Sequence, residues 1–242
     1  MTPDAVRHRY TGHCPVCRRP AVFESTSDWL RDNLECGNCG SIPRERAFAH
    51  CLETMIPGWR HMRVHECSPA DRSISARMRA ECLHYVGTQY FPGTPAGTIR
   101  DGWRCENLEA LSFADGAIDL HCHLDVLEHV NDPAACFAEM SRTLRPGGHV
   151  LFTVPVYADK AATERRAFYD ADGSVRHFAE PEYHGNPIDP QGALVTFHYG
   201  RDLADLIRAW APRCGVTVIT INDAAQGILG EFREVFLLTR RV

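Results

Sequence analysis

Two cysteine pairs carry the most specific chemical signal in the chain. Cys14-Pro-Val-Cys17 and Cys36-Gly-Asn-Cys39 form C-x2-C, eighteen residues, C-x2-C. Each pair can fold into a tight knuckle that aims two thiolates at one point, and two knuckles complete the tetrahedral sulfur shell that zinc prefers. A redox dithiol is the competing reading of each pair, but neither is placed at a helix start after a strand, so the spacing favours metal. Four thiolates leave no position open for water. The predicted zinc site, Cys14, Cys17, Cys36 and Cys39, is therefore structural and staples a segment too short for its own core. Arg18, Arg19, Arg31, Arg44 and Arg46 lie in or beside this module and read as a solvated face, because clustered charge alone does not specify a partner.

Histidines supply the candidate acid-base groups. His121-Cys-His123 alternate along an apolar run, which puts both imidazoles on one face. Two histidines fall short of the three or four ligands a metal site needs, so a metal pair is not the preferred reading. Glu128-His129 follows directly. His123, His129, His184 and His198 are the candidate proton acceptors, a role that requires a geometry only the fold can supply.

The frame that must position these groups is the stretch Ile118 to Pro155. IDLHCHLDVLEHVNDPAACFAEMSRTLRPGGHVLFTVP reads as strand, loop, helix, glycine turn and strand, its hydrophobic period moving from about 2 to about 3.6 and back. Asp132 can cap the free amides, and Pro133 opens the first turn where its missing N–H costs nothing. Phe137, Met140 and Leu144 share a face. Pro146, Gly147 and Gly148 are expected to stop the helix before a buried strand from Val150 to Pro155. Upstream, Ser41 to Met55 reads as a helix, with Pro43 in its first turn and Ala47, Phe48, Cys51, Leu52 and Met55 at helical spacing. Pro57-Gly58 ends it, so the cysteine module is expected to pack on the main domain and not to hang from a floppy linker.

DLHCHLDVLEHV followed by LRPGGHVLFTVPV resembles the fourth and fifth strands of class I S-adenosylmethionine (SAM) dependent methyltransferases, whose common form is FDLV, LEHV and LKPGG in that order. The resemblance covers roughly Met62 to the C-terminus. It implies an α/β fold, a Rossmann-like doubly wound seven-stranded sheet with the last strand antiparallel, preceded here by a small zinc ribbon. The expected division is residues 1–42 for the ribbon, 43–60 for a linking helix and 61–242 for the methyltransferase domain, with a lid insertion at about 156–199.

The resemblance also implies SAM as cofactor. Glu66, Ser68 and Ala70 occupy the acidic and first two glycine positions of the family's cofactor turn. Small Ser and Ala can replace glycine there, because SAM carries no pyrophosphate for the backbone to approach. Gln89 stands where the family places the acid that binds the ribose hydroxyls. Asn107 aligns with the polar residue near the adenine amino group, Leu108 forms the neighbouring apolar wall, and Leu124 follows the fourth strand near the transferred methyl. Within the long connection, EYHGNPIDPQGALVTFHYGRDL resembles a stretch of zinc-ribbon-fronted bacterial methyltransferases, and the aromatics and histidines there suit a lid over a small acceptor.

The implied reaction is SAM-dependent methyl transfer to an oxygen or nitrogen of a small molecule such as a sugar or secondary metabolite. Asn-Pro-Pro-Tyr and Asp-Pro-Pro-Tyr are absent after the fourth strand, where Leu124-Asp-Val-Leu stands, so methylation of base amines is not expected. Two readings stay open beside it. One is a methyltransferase-fold scaffold without chemistry, argued by Ser68, Ala70 and Gln89. The other is a zinc-ribbon ribosomal RNA methyltransferase with the arginines as its footing. A net charge of −5 gives no general attraction to polyanions, so nucleic acid is not the expected partner. With eleven cysteines, no charged and apolar leader, and no run of membrane-spanning length, the expectation is a cytoplasmic chain without membrane contact.

Overall fold

The computed structural model describes residues 5–170, 172–186 and 188–242. The two cysteine pairs sit on a three-stranded antiparallel sheet of β1 (His8–Cys14), β2 (Arg19–Ser25) and β3 (Glu35–Cys36). A single helical turn, α1 (Leu30–Asn33), joins β2 to β3. Helix α2 (Pro43–Met55) begins on the expected proline, and the Glu45 carboxylate accepts the Ile42 N–H at 3.0 Å, closing its first turn.

The large sheet then builds in sequence from β4 (Arg63–Cys67), α3 (Ser73–Glu81), β5 (His84–Gln89), β6 (Ile99–Arg100), β7 (Trp103–Cys105), β8 (Ile118–Leu124), α4 (Pro133–Thr143) and β9 (Leu144–Thr153). A segment of short ladders follows. β10 (Glu164–Arg165) pairs with β15 (Phe197–His198), β11 (Ala167–Tyr169) with β12 (Val175–His177), and β13 (Tyr183–His184) with β14 (Ala193–Leu194). Helix α5 (Leu203–Trp210) and strands β16 (Cys214–Thr220) and β17 (Glu234–Arg240) complete the chain.

Strand order is β16-β17-β9-β8-β4-β5-β7-β6. The seven expected strands are all present, and β17 runs antiparallel to both β9 and β16. The two-residue β6 adds an eighth strand by hairpinning onto β7. Strand order reverses at β4, which lies between β8 and β5, so the crevice for a ligand opens beyond the carboxyl ends of these strands. One local detail differs from expectation: β9 starts at Leu144, opposite Ile118, and Pro146-Gly147-Gly148 form an irregularity within it before His149 meets Leu120. The loop is thus folded into the strand instead of preceding it.

The ribbon is part of the same body as the sheet. Phe23, Leu34 and Cys36 share one buried cluster with Phe48 and Leu52 of α2 and with Val64, Leu120, Leu151 and Val235 of the sheet. Across the sheet, Phe137, Met140, Phe152, Leu203 and Ile207 form a second cluster beneath α4 and α5.

Arg46 is fully buried where ribbon and sheet meet. Its guanidinium donates to the carbonyls of Ser41, Leu34 (2.7 Å) and Gly227 (2.6 Å), and stacks over the Phe23 ring at 4.6 Å. Burial pulls its pKa down to about 10. The reading of Arg46 as a solvated side chain is therefore corrected, and the cause is long range: Gly227 lies 181 residues away in sequence.

Gly227 caps the turn Ala224–Gln226 with φ +65, and a Cβ there would stand 2.6 Å from the Phe23 ring. Gly58, φ +83, has open space around it. Gly58→Ala should cost about 1–2 kcal/mol, the strain of a left-handed L-residue. Gly227→Ala should cost about 1–3 kcal/mol more, the usual penalty of overpacking. Urea unfolding of both variants checks this, and equal losses would show that the ribbon does not pack on this turn.

Candidate active site at the carboxyl edge of the sheet

Four segments converge on one cavity of about 1740 Å³ beyond the carboxyl ends of β4, β5, β7 and β8. That exceeds the roughly 300–1,000 Å³ of an ordinary ligand pocket, so it has room for a cofactor together with a second molecule. Ser68 and Ala70 enter from the β4–α3 turn, Gln89 from the end of β5, Asn107 and Leu108 after β7, and Leu124 from the end of β8. These six of the seven predicted cofactor residues lie around one space.

The turn after β4 is held by Gln89, a side chain whose expected task was ribose binding alone. Ser68 adopts φ +53, the left-handed region where the family uses glycine. Its hydroxyl donates to Gln89 Oε1 at 3.0 Å, and Gln89 Nε2 donates to the Pro69 carbonyl at 3.3 Å. Gln89 thus braces the cofactor turn while keeping one lone pair and one N–H for a ligand. Arg72, two residues beyond Ala70, reaches the ribbon: it donates to the Gly40 carbonyl at 3.0 Å and pairs with Glu45 at 2.9 Å.

Glu66 does not reach the cavity. It is 1% exposed and accepts hydrogen bonds from Ser75 and from the Tyr85 hydroxyl (2.7 Å). Burial raises its pKa to about 7 against the opposing pull of those two donors. Its observed task is to tie α3 and β5 to β4.

The residue after β8, Asp125, joins the ribbon to the catalytic edge. Arg31 of α1 and Arg44 of α2 both pair with its Oδ2, Arg44 at 3.1 Å, while Thr153 donates to Oδ1 at 2.8 Å. Burial alone would raise the Asp125 pKa, but the Arg31 and Arg44 guanidinium groups outweigh it and hold the carboxyl at about 2. Arg31 and Arg44 are therefore not solvated, contrary to the sequence reading, whereas Arg18 and Arg19 are exposed. With Trp29 and Asp32 these arginines line the cavity from the ribbon side, and Phe232 lines it from the β16–β17 connection.

The four candidate histidines separate by environment. His123 is fully enclosed, stacked on Phe152 at 4.6 Å, and does not line the cavity; burial pulls its pKa down to about 3. His198 stacks on Tyr157 and is bonded to Glu182 at 2.8 Å. His129 and His184 face the cavity, their rings edge to face at 5.1 Å. Between them stands Glu128, 2% exposed, and the adjacent Glu128 carboxylate, as acceptor first and charge second, raises the His184 pKa against the effect of burial. His121 is spent in a buried chain, Thr88 to His65 to His121 to Thr143, each link 2.8 Å, which accounts for a histidine at this position without a metal.

The segment 156–199 is latched to the turn Leu127–His129. Thr196 N–H and Oγ1 both donate to the Glu128 carbonyl, the Tyr199 hydroxyl donates to the Leu127 carbonyl, and His129 Nδ1 lies 2.9 Å from the Leu194 carbonyl. Tyr157, Tyr169, Tyr183 and His184 face the cavity from it. Phe178 and His177 are exposed, and Phe197 and Tyr199 are core, so only part of the expected lid composition faces a ligand.

In the ribbon the four sulfurs lie within 4.8 Å of one another, an arrangement that can hold a metal ion such as zinc. Ser41 Oγ stands 3.4 Å from Cys14 and 3.3 Å from Cys39, placed to donate to thiolates.

The fold and this cavity define the class. The chain has the fold of a SAM-dependent methyltransferase: a structure of such a protein from Mesorhizobium loti superposes with a TM-score of 0.52 at 17% identity, covering 81% of this chain and 98% of that one. Residues 61–152 match the family model described as methyltransferase domain. An uncharacterized methyltransferase of Mycolicibacterium gilvum is 37% identical over 81 residues, 31% of this chain and 32% of that protein. A dimethylglycine N-methyltransferase of Parasynechococcus marenigrum is 42% identical over 53 residues, 22% of this chain and 19% of that protein. The alignments thus span about a third and a fifth of those curated relatives. No helix among the described residues is long and apolar enough to cross a membrane.

Asp125→Asn should lower stability by about 3 kcal/mol at neutral pH, because it strips Arg31 of a buried partner. The wild-type carboxyl has a folded pKa of about 2, below the unfolded value near 3.9, so its contribution is present above the latter and is lost as pH falls. The gap between variant and wild type should therefore narrow as pH drops through 4 toward 2, as followed by urea unfolding across that range.

Proposed function

We propose that the protein transfers a methyl group from SAM to an oxygen or nitrogen of a small-molecule acceptor. The observation that carries this reading is the convergence of Ser68, Ala70, Gln89, Asn107, Leu108 and Leu124 on one cavity at the switch point of the sheet. These residues fit the cofactor. Ser68 and Ala70 leave room beside the turn for the methionine part, Gln89 keeps a donor and an acceptor for the ribose, and Asn107 with Leu108 offers a polar and an apolar contact to the adenine. SAM, when bound, supplies an electrophilic methyl group. The chain's own part is to hold the acceptor in line with it and away from bulk water, a contribution that can reach several kcal/mol.

The acceptor end is the part lined by His129, His184, Tyr157 and Tyr183. Its aromatic and imidazole lining favours a small polar molecule, such as a sugar or secondary metabolite, over a nucleic acid strand. The ribbon arginines support the same choice, since Arg31, Arg44 and Arg46 are committed to protein partners and offer little to phosphates. In the ribbon, zinc on Cys14, Cys17, Cys36 and Cys39 fits the sulfur arrangement and has a structural role, fixing the wall that carries Arg31 and Arg44.

Calorimetric titration with SAM and with S-adenosylhomocysteine tests the reading. Micromolar binding is expected, and Gln89→Leu should weaken it about tenfold, the worth of one to two hydrogen bonds. A folded protein that binds neither at millimolar concentration would point to a scaffold that has kept the fold without the chemistry. Cys36→Ser should lose bound zinc and melt at lower temperature than wild type, because the metal's binding energy is folding energy; an unchanged melting curve would argue against a zinc ribbon.

A further inference from the structure

The acceptor end contains a buried carboxylate that no protein group hydrogen-bonds among the described residues: both oxygens of Glu128 are enclosed and lack such a partner. A carboxylate held this way is costly unless a cation compensates it. The nearby Arg31 is engaged by Asp125 and Asp32 and makes no hydrogen bond to Glu128.

Two imidazoles aim at this carboxylate. His129 Nε2 lies 3.8 Å and His184 Nδ1 3.7 Å from Glu128 Oε1. These separations are too long for hydrogen bonds. They are close to what three ligands of one ion require, since donor atoms about 2.1 Å from a tetrahedral metal stand about 3.4 Å apart. One ligand atom from each of the three residues lies within 4.8 Å of the other two.

The outer nitrogens are already fixed in the sense a metal needs. His129 Nδ1 faces the Leu194 carbonyl at 2.9 Å, which can only accept, so Nδ1 carries the proton and Nε2 keeps its lone pair. His184 Nε2 lies 3.3 Å from the Glu182 carboxylate, which leaves Nδ1 as the lone-pair nitrogen facing Glu128. Ligand histidines anchored through their second nitrogen by a carbonyl or carboxylate are a recurrent arrangement in metal sites.

We propose that Glu128, His129 and His184 bind a divalent transition-metal ion at the acceptor end of the cavity, separate from the four-cysteine group. Three protein ligands leave positions open, and two of the three, His129 and His184, line the cavity. An oxygen of the acceptor, such as a hydroxyl, can complete the shell and be held there. Two imidazoles and one carboxylate suit ions of the zinc, cobalt and iron(II) kind over magnesium or calcium, which prefer all-oxygen shells.

Cobalt(II) is the probe. Full-length protein loaded with one equivalent of zinc, to fill the cysteines, is titrated with cobalt and followed by visible absorption and by metal analysis after gel filtration. A second equivalent is expected, with d–d bands and no thiolate charge-transfer band. His184→Ala, on a half-buried lid residue, and Glu128→Gln should each weaken it by more than the ~10–100-fold that outer partners contribute. Glu182→Gln, which alters only such a partner, should weaken it within that range. A chain that stops at one equivalent, or a second equivalent indifferent to His184→Ala, would overturn the proposal. The titration needs no SAM, so its result is independent of whether the cofactor binds.

Discussion

The charge cluster at Asp125 is the constraint on which the architecture of the cavity depends. A carboxylate directly after β8 is enclosed by the ribbon, and enclosure without partners would be prohibitive. Arg31 and Arg44 supply the compensating charge from two different helical segments of the ribbon side. The pairing therefore acts as a positional lock: it is favourable only when α1 and the start of α2 sit against the end of the sheet. Arg46 reinforces the lock from within by satisfying carbonyls of the ribbon and of the β16–β17 connection at once. The cysteine module is thereby a wall of the cavity.

The opposite wall is set by hydrogen bonds between the lid and the turn Leu127–His129. Thr196, Tyr199 and Leu194 satisfy backbone and imidazole groups of that turn. Their effect is to present His129 toward the cavity and to bring His184 beside it. The segment thus forms one wall of the cavity and fixes both imidazoles on it. It also encloses Glu128, and a buried carboxylate flanked by two oriented imidazoles is a strong electrostatic attractor for a cation.

Ser68 and Gln89, both departures from the family's usual residues, are bonded to each other. Ser68 replaces a glycine yet takes the left-handed backbone, and the Gln89 amide bonds both to it and to Pro69. An acid in place of Gln89 could accept from Ser68 but could not donate to the Pro69 carbonyl. Arg72 spans from the same turn to Gly40 and Glu45 of the ribbon side. Gln89 thus ties the turn after β4 to β5, and Arg72 ties the same turn to the ribbon side.

The sequence by itself determined the elements with strong local signals: the paired cysteines, the helix between Asp132 and Thr143 with its proline start, the apolar strands, and the family order of the β8 to β9 region. Such features are local because capping, periodicity and knuckle spacing are settled within a few residues. It also placed six candidate cofactor residues at strand ends that open on one cavity, since strand order in a doubly wound sheet fixes where those ends meet. Only the tertiary structure decided which charges are buried and with whom. Arg31, Arg44 and Arg46 look in sequence like any solvated arginines, and Glu66 and His123 look like site residues. Their partners lie as far as 181 residues away, and a side chain's electrostatic environment is a property of what folds around it.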